Sequence, residues 1–294
     1  QTSAGIGFGT PKQVNRGEVS FSDFSPRFSI SYDVTDDLTT YATASKGYKA
    51  GGLQFNAALP QQSFDKEELW NYELGLRSYW LDRKLMLNAT AFQMEWKDLQ
   101  VESTATVLDP ETGAIIVIDA TLNAASATSR GAELELSARP TPAWLLDAAV
   151  GYLDAKFDRF PNALISGNEV DLSGYRVIRS PKWTLSANAQ YEFPLTDRIA
   201  ADAKGYARAE WSYRSSTKPN MASILQSGFP YDIEAFQVVN LRAGVRSDAW
   251  SFETYLENAL DEEYFTGHAL LGFGGVRVRP HPRLWGVRVA FNFN

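Results

Sequence analysis

The side chains best suited to chemistry are few in this sequence and poorly spaced for it. The two histidines, His268 and His281, stand thirteen residues apart (281 minus 268) in one polar interval, too far for the close His pairs of zinc motifs. Serine hydrolysis would need a serine on a G-x-S-x-G elbow beside a histidine and an acid, and no such pentapeptide occurs. With no cysteine in the chain, thiolate catalysis and Cys-ligated metals drop out. Asp33, Asp36 and Asp37 lack the ordered pattern of a calcium loop and read as a turn. Gly5 to Gly9 and Gly272 to Gly275 have the composition of phosphate-binding loops, but neither follows a strand and opens a helix, so both read as flexible loops. No catalytic residue, metal or cofactor is expected. What remains is recognition: Tyr48, Lys49, Tyr175, Arg176, Arg179, Tyr231 and His268 stand in or beside long polar intervals, where loops on a rigid scaffold carry binding. Arginine with tyrosine suits an anionic or catecholate-like ligand. The alternative, that each is an ordinary solvated loop residue, stands beside that reading.

The elements that must position these residues follow from composition and period. At 294 residues nothing divides the chain into differently composed parts, so one architecture should explain all of it. Aromatic residues make up 13% of the chain, yet the mean hydropathy is -0.27. No apolar run approaches the roughly 18 residues of a spanning helix. A transmembrane barrel reconciles these facts, because lipid-facing and lumen-facing residues alternate and cancel in any window. The net charge of -7, with no dense run of Lys and Arg, argues against a nucleic-acid partner. The first residues lack a basic and then apolar export signal, which is expected to have been removed or to lie upstream.

From Trp183 to Phe193 apolar residues alternate with polar ones, and the rhythm repeats from Ile199 to Tyr213; no helix keeps this period. The same pattern marks strands at Phe28–Val34, Trp70–Leu76, Trp144–Tyr152, Val239–Val245, Trp250–Leu256 and Trp285–Phe293, with less regular ones near 38–49, 84–103 and 117–139. About eleven antiparallel strands are expected. Their connections alternate. Short ones at residues 35–37, 81–83, 139–142, 194–197 and 247–249 interleave with long ones near 50–66, 104–116, 158–178, 214–234 and 259–281. Every short turn then falls on one rim and every long loop on the other, as in outer-membrane barrels. Trp80, Trp144 and Trp250 fall beside short turns, and Trp70, Trp183, Trp211 and Trp285 toward long loops, which makes two interfacial girdles. The fold class is all-β, an antiparallel transmembrane β-barrel. Single-chain bacterial barrels have even strand numbers, so further strands are expected to complete it.

Several segments resemble the TonB-dependent receptor family. They are Ser25-Pro26-Arg27-Phe28 through Tyr32, Thr35-Asp36-Asp37-Leu38, and Tyr41 through the glycine-rich Lys49-Ala50-Gly51-Gly52. Others are Asn71-Tyr72-Glu73-Leu74-Gly75-Leu76-Arg77, Phe92 to Asp98, Gly131 to Leu136, Leu256 to Tyr264, and Pro282 to Val289. Trp285, Val287, Val289, Phe291 and Phe293 resemble the C-terminal signal read by barrel-assembly machinery, although the sequence closes on Asn294. The resemblance implies that residues 1–294 are the C-terminal half of a 22-stranded barrel, with the plug domain outside this sequence. It implies as partners the TonB complex acting through that plug, the N-terminal half of the barrel, outer-membrane lipid, and a small ligand, by default a ferric siderophore. Cobalamin, haem or a glycan stand as other ligands. A passive porin or an adhesive outer-membrane barrel is the competing reading.

Overall fold

The computed structural model describes residues 17–54, 63–108, 113, 115–165, 168–195, 202–226, 232–271 and 274–292. Eleven strands form one antiparallel meander in which each pairs with its neighbours in sequence. They are β1 (Arg27–Thr35), β2 (Leu38–Lys49), β3 (Glu67–Trp80), β4 (Leu85–Leu108), β5 (Ile115–Ala138) and β6 (Trp144–Arg159). The meander continues through β7 (Trp183–Pro194), β8 (Lys204–Arg214), β9 (Phe236–Arg246), β10 (Trp250–Glu257) and β11 (Leu284–Phe291). The sheet is open: β1 and β11 are its two edges and do not pair with each other.

Register fixes what each face carries, because a one-residue slip would exchange the faces. Leu185 lies opposite Val150 on one side and Tyr213 on the other, while Ser186 lies opposite Ala149 and Ser212. Leu185 and its row therefore share the apolar face, and Asn188 with Asp147 and Glu210 shares the polar one. The apolar face is uncovered. Leu74 is 64% exposed, Val287 52% and Trp285 73%, a band of large hydrophobics tolerable only against lipid. The polar face carries a hollow of about 610 Å³ whose lining includes Glu135, Asp147, Asn188, Glu210, Asn240 and Arg242. On it the Tyr41 ring lies across Gly75, its direct cross-strand partner, and donates its hydroxyl to Glu73 Oε1 at 2.6 Å. A Cβ at Gly75 would fall 2.5 Å from that ring. Phe92 covers Gly131 in the same way, 2.3 Å from where a Cβ would stand. Such glycine and aromatic pairs let a sheet bend while its surface stays filled.

The short turns are tied together. Leu81, Asp82 and Arg83 all have positive φ, between 56° and 62°, and this coil aims Arg83 Nε at Asp37 Oδ1, 2.8 Å away in the neighbouring turn. The carboxylate of Asp37 is thus committed to an arginine. Thr196, Asp197, Phe293 and Asn294, as well as both glycine-rich loops at least in part, lie outside the described residues.

One connection departs from expectation. Residues 104–116 read as a long loop, but β4 and β5 each run 24 residues and pair as far as Leu108 with Ile115. At about 3.3 Å per residue they reach some 80 Å, twice what a tilted crossing needs. The paired hairpin leaves the rest of the sheet at an irregularity between Trp96 and Leu99, where Asp98 takes φ 54°, as a bulge re-aims a strand. Side-chain amides brace its flank. Gln54 bonds both the N–H and the C=O of Thr121, and Asn123 does the same to Asp65.

Candidate functional site

The only hydrophobic core among the described residues lies at the long-loop end. After β6, Phe160 turns the chain into a small hairpin, Ala163–Ile165 paired with Asn168–Val170, that folds back over the polar-side face. Gly174, at φ 79°, and Tyr175 then bond Phe157, and Val177 bonds Ala155, so the returning segment runs alongside β6. The Ser173 side chain first, and then its N–H at 2.8 Å, hold the Asp171 carboxyl below the usual range. Beneath sit Phe157 and Phe160, edge to face at 5.1 Å, with Ala163, Leu172, Val101, Ala127 and Met221. Each buried phenylalanine contributes on the order of 1.5–3 kcal/mol to keeping the loop folded inward. Trp96, the eighth tryptophan, packs here and not at a girdle.

The loop between β8 and β9 lies against this one. Residues Thr217 and Ile233 form a two-bond bridge at 2.9 and 3.0 Å, Lys218 Nζ meets Asp232 at 2.5 Å, and Arg179 reaches across to the carbonyls of Lys218 and Pro219. Between the two loops is a cavity of about 250 Å³ lined by Tyr175, Arg176, Val177, Ser180, Ser216, Thr217, Lys218, Ile224 and Asp232. Arg176 gives one terminal nitrogen to Ser180 O at 2.7 Å. Its Nε, and the hydroxyl of the 6%-exposed Thr217, are buried without a protein partner. Two unmatched polar groups in one cavity are what a polar ligand group satisfies, since each costs about 1–3 kcal/mol while unmade.

The residues singled out by sequence are therefore brought only partly together. Tyr175 and Arg176 line the cavity, and Arg179 clamps its two loops. Tyr48 and Lys49 end β2 opposite Glu68 and Glu67, apart from it. His268 sits in a separate hairpin of the last loop opposite Arg277. It is buried with neither ring nitrogen partnered, and burial foremost, then Arg277, lowers its pKa. Tyr231 lies outside the described residues. Ser216, Thr217, Lys218 and Asp232 were not singled out, and no spacing in the sequence marks them.

Below the mouth, the polar face of β7 to β11 carries a chain of charges. Arg246 pairs with Glu192 at 2.6 Å, Arg208 with Glu210 at 2.7 Å, and Arg242 bridges Glu210 and Glu253 at 3.1 and 3.5 Å. Arg288 and Tyr206 complete the shell of Glu253 at 3.4 and 2.7 Å. Every second residue of five strands is committed to an aqueous or protein-filled interior.

An open antiparallel sheet with a lipid-facing band, a charged inner wall, short turns on one rim and folded loops on the other is part of an outer-membrane β-barrel. The family profile described as "TonB dependent receptor-like, beta-barrel" matches residues 2–259, and the chain belongs to that family, whose members are outer-membrane transport receptors and not enzymes. It is 27% identical over 169 residues to the metal-pseudopaline receptor of Pseudomonas aeruginosa, covering 58% of this chain and 21% of that one. It is 31% identical over 133 residues to the ferric-pyoverdine 358 receptor of Pseudomonas putida, covering 45% and 15%. The chain thus spans about a fifth or less of these curated relatives. The crystal structure of the ferric yersiniabactin uptake receptor of Yersinia pestis superposes with a TM-score of 0.71 at 21% identity, over 91% of this chain and 37% of that one. That of the ferric preacinetobactin receptor of Acinetobacter baumannii gives 0.65 at 15%, over 92% and 36%. Likeness at these identities concerns the fold.

Proposed function

We propose that this chain forms one wall of a TonB-coupled outer-membrane receptor that takes up a ferric siderophore or a similar metal chelate, with no catalytic step of its own. The observation carrying this is the mouth cavity, where Arg176 Nε and Thr217 Oγ1 stand unpartnered beside Tyr175 and Lys218. Hard, anionic oxygen ligands of a chelate match a guanidinium and a hydroxyl. The printed names of the relatives, which concern metal-pseudopaline and ferric pyoverdine, support the same ligand class.

Residues 1–294 act in this reading as the C-terminal portion of the barrel, and plug and TonB contact belong to other parts of the protein. Two edge strands, β1 and β11, each with one unpaired side, need partners in a bilayer that offers none. The test is uptake of radiolabelled iron by a deletion strain carrying the whole receptor or its Arg176→Gln form, across a panel of ferric siderophores. Uptake of at least one chelate, abolished by a protonophore and reduced about tenfold or more by Arg176→Gln, is expected. Uptake that survives the protonophore would point to a passive pore instead, and uptake indifferent to Arg176→Gln would remove the cavity from the account.

A further inference from the structure

The glycine-rich exit of β2, Lys49-Ala50-Gly51-Gly52, has no part in the uptake cavity, and the fold gives it an occupant. Gly52 and Leu53 pair with Phe64 and Ser63, and the segment before β1 crosses over them. The Phe21 ring fills the place a side chain would take at Gly51: an ideal Cβ there would stand 2.4 Å from the ring and 2.2 Å from Phe64 O. Leu53 crowds Gly17 in the same way, 2.8 Å from where its Cβ would be. At the inner end Pro26 O accepts from Lys46 N at 2.9 Å and leads into the β1 and β2 ladder. Residues 17–26 therefore lie as a strap beside the outer ends of β2 and β3, seated where glycine leaves room.

A neutral set of four charges closes the strap. Asp23, with its side chain 1% exposed, meets Lys66 at 2.5 Å and Lys46 at 2.9 Å, and Glu68 meets the same two ammonium groups at 2.7 and 3.1 Å. Of the neighbouring charges, Lys97 lies opposite Glu68, while Glu67 lies opposite Lys49 and accepts from Gln100 N at 2.9 Å. Two carboxylates against two lysines leave no surplus for an outside ion, so the set ties protein to protein. The tie continues through Asp65, next to Lys66. Its N–H goes to Asn123 Oδ1 at 2.6 Å, and its carbonyl accepts from Asn123 Nδ2 and Gln100 Nε2 at 2.8 and 3.1 Å. Asn123 also donates to Asp98 O at 2.9 Å, at the bend where the β4 and β5 hairpin leaves the sheet, and Gln100 Nε2 reaches Ala50 O at 2.9 Å. Within two residues of these amides stand Val101 and Ala125, whose side chains belong to the mouth core with Phe157 and Phe160.

We propose that residues 17–26 are a positioning strap for the mouth: closed by Asp23 and Phe21, they hold the foot of the β4 and β5 hairpin, and through it the core beneath the uptake cavity. The strap is fastened by side chains at the watery rim, whereas β7 to β9 are fastened by a ladder in the membrane, so the strap can open while the sheet stays intact. With it open, Lys66 loses the carboxylate that fixes it, Asp65 no longer gives Asn123 and Gln100 a firm footing, and Val101 and Ala125 are free to part from Phe157. Asp23 is thus a positioning residue that touches no ligand and acts through a contiguous chain of packed and bonded groups. This holds whichever ligand the cavity takes.

The experiment is amide hydrogen exchange, read by mass spectrometry on the whole receptor in detergent micelles, for wild type, Asp23→Asn, Asp23→Glu, Phe21→Ala and, in a short turn at the opposite rim, Lys84→Gln. Heat-modified gel migration confirms that each is a folded barrel. In Asp23→Asn, exchange is expected to rise roughly tenfold in residues 17–26, since a bond to a charged group is broken. It should rise severalfold in residues 98–101 and 121–125 and, on the far side of the hairpin, in 157–177, with β7 to β9 unchanged. Asp23→Glu, which keeps the charge, should restore most of the protection, Phe21→Ala should give the same pattern more weakly, and Lys84→Gln should match wild type. Acceleration confined to residues 17–26 would overturn the proposal, leaving a surface segment that positions nothing. Equal acceleration in β7 to β9 would overturn it as well, because strap and wall would then open as one unit. If Asp23→Asn does not fold, Phe21→Ala decides between the same outcomes.

Discussion

The membrane-crossing sheet and the mouth above it are made by different rules. In the sheet each side chain's surroundings are set by parity along the strand: Leu185 and Ser186 are neighbours in sequence and face opposite solvents. In the mouth, Phe157 is 2% exposed because a loop returns from elsewhere to cover it, and Arg176 meets Thr217 only because two loops fold against each other. The wall draws its stability from a repeated ladder and from lipid. The mouth draws its own from a small core, and this leaves it able to keep polar groups unsatisfied for a ligand.

The largest effect that separates the two regions should come from the small core. Phe157→Ala should cost the mouth about 3–5 kcal/mol, read as faster amide hydrogen exchange across residues 163–177, with exchange in β7 to β9 unchanged. If β7 to β9 loosen equally, mouth and wall are one cooperative unit. Next, Leu185→Arg, at mid-strand on the lipid face, should lower barrel stability by about 2–4 kcal/mol in a urea folding titration, whereas Gln190→Arg, on the inner face, should be mild. Equal effects would refute the facing assignment. Gly75→Val forces the Tyr41 ring off its site and should cost about 1–3 kcal/mol in the same titration; a neutral result would show that the ring is free to move. The smallest effect concerns the segment before β1, where Lys66 first and then Lys46, 2.5 and 2.9 Å from Asp23, lower the Asp23 carboxyl to about 2. Because the folded value is depressed, this contribution is complete above about pH 4 and is lost as the pH falls toward 2. Asp23→Asn should release the segment to protease at pH 7 as acid does to wild type, and unchanged protection would contradict the tie.

Where parity rules, the sequence was sufficient. The strands, except that β8 begins at Lys204 and not at Ile199 because a longer turn runs from Leu195 to Ala203, and the polar inner face carrying Arg242 and Arg246 follow from it. It failed at residues 104–116 because Ser103-Thr104-Ala105-Thr106 puts small residues on both phases, which erases the period, and Asp109-Pro110 reads as a loop opening, whereas the flanking strands stay paired as far as Leu108 and Ile115. Thr217, Lys218 and Asp232 were illegible for another reason: their meeting with Arg176 spans some forty to fifty-six residues of chain (217 minus 176, 232 minus 176) and depends on tertiary packing, which leaves no local pattern. Tyr48 and Lys49 show the converse: their residue types suit binding, and strand register sets them opposite Glu68 and Glu67, apart from the cavity.

The central claim is that β7 crosses a bilayer with alternate residues in lipid and in the lumen. Residues 1–294 contain no cysteine, so in a whole receptor with any other cysteine replaced by serine, single cysteines can be placed at each position from 184 to 192 in membranes and spin-labelled, and their accessibility to oxygen and to a water-soluble nickel chelate measured. The prediction is a two-residue alternation, with oxygen maxima at Leu185, Ala187, Ala189 and Tyr191 and chelate maxima at Ser186, Asn188 and Gln190. Uniform accessibility, or a period near 3.6, would contradict it.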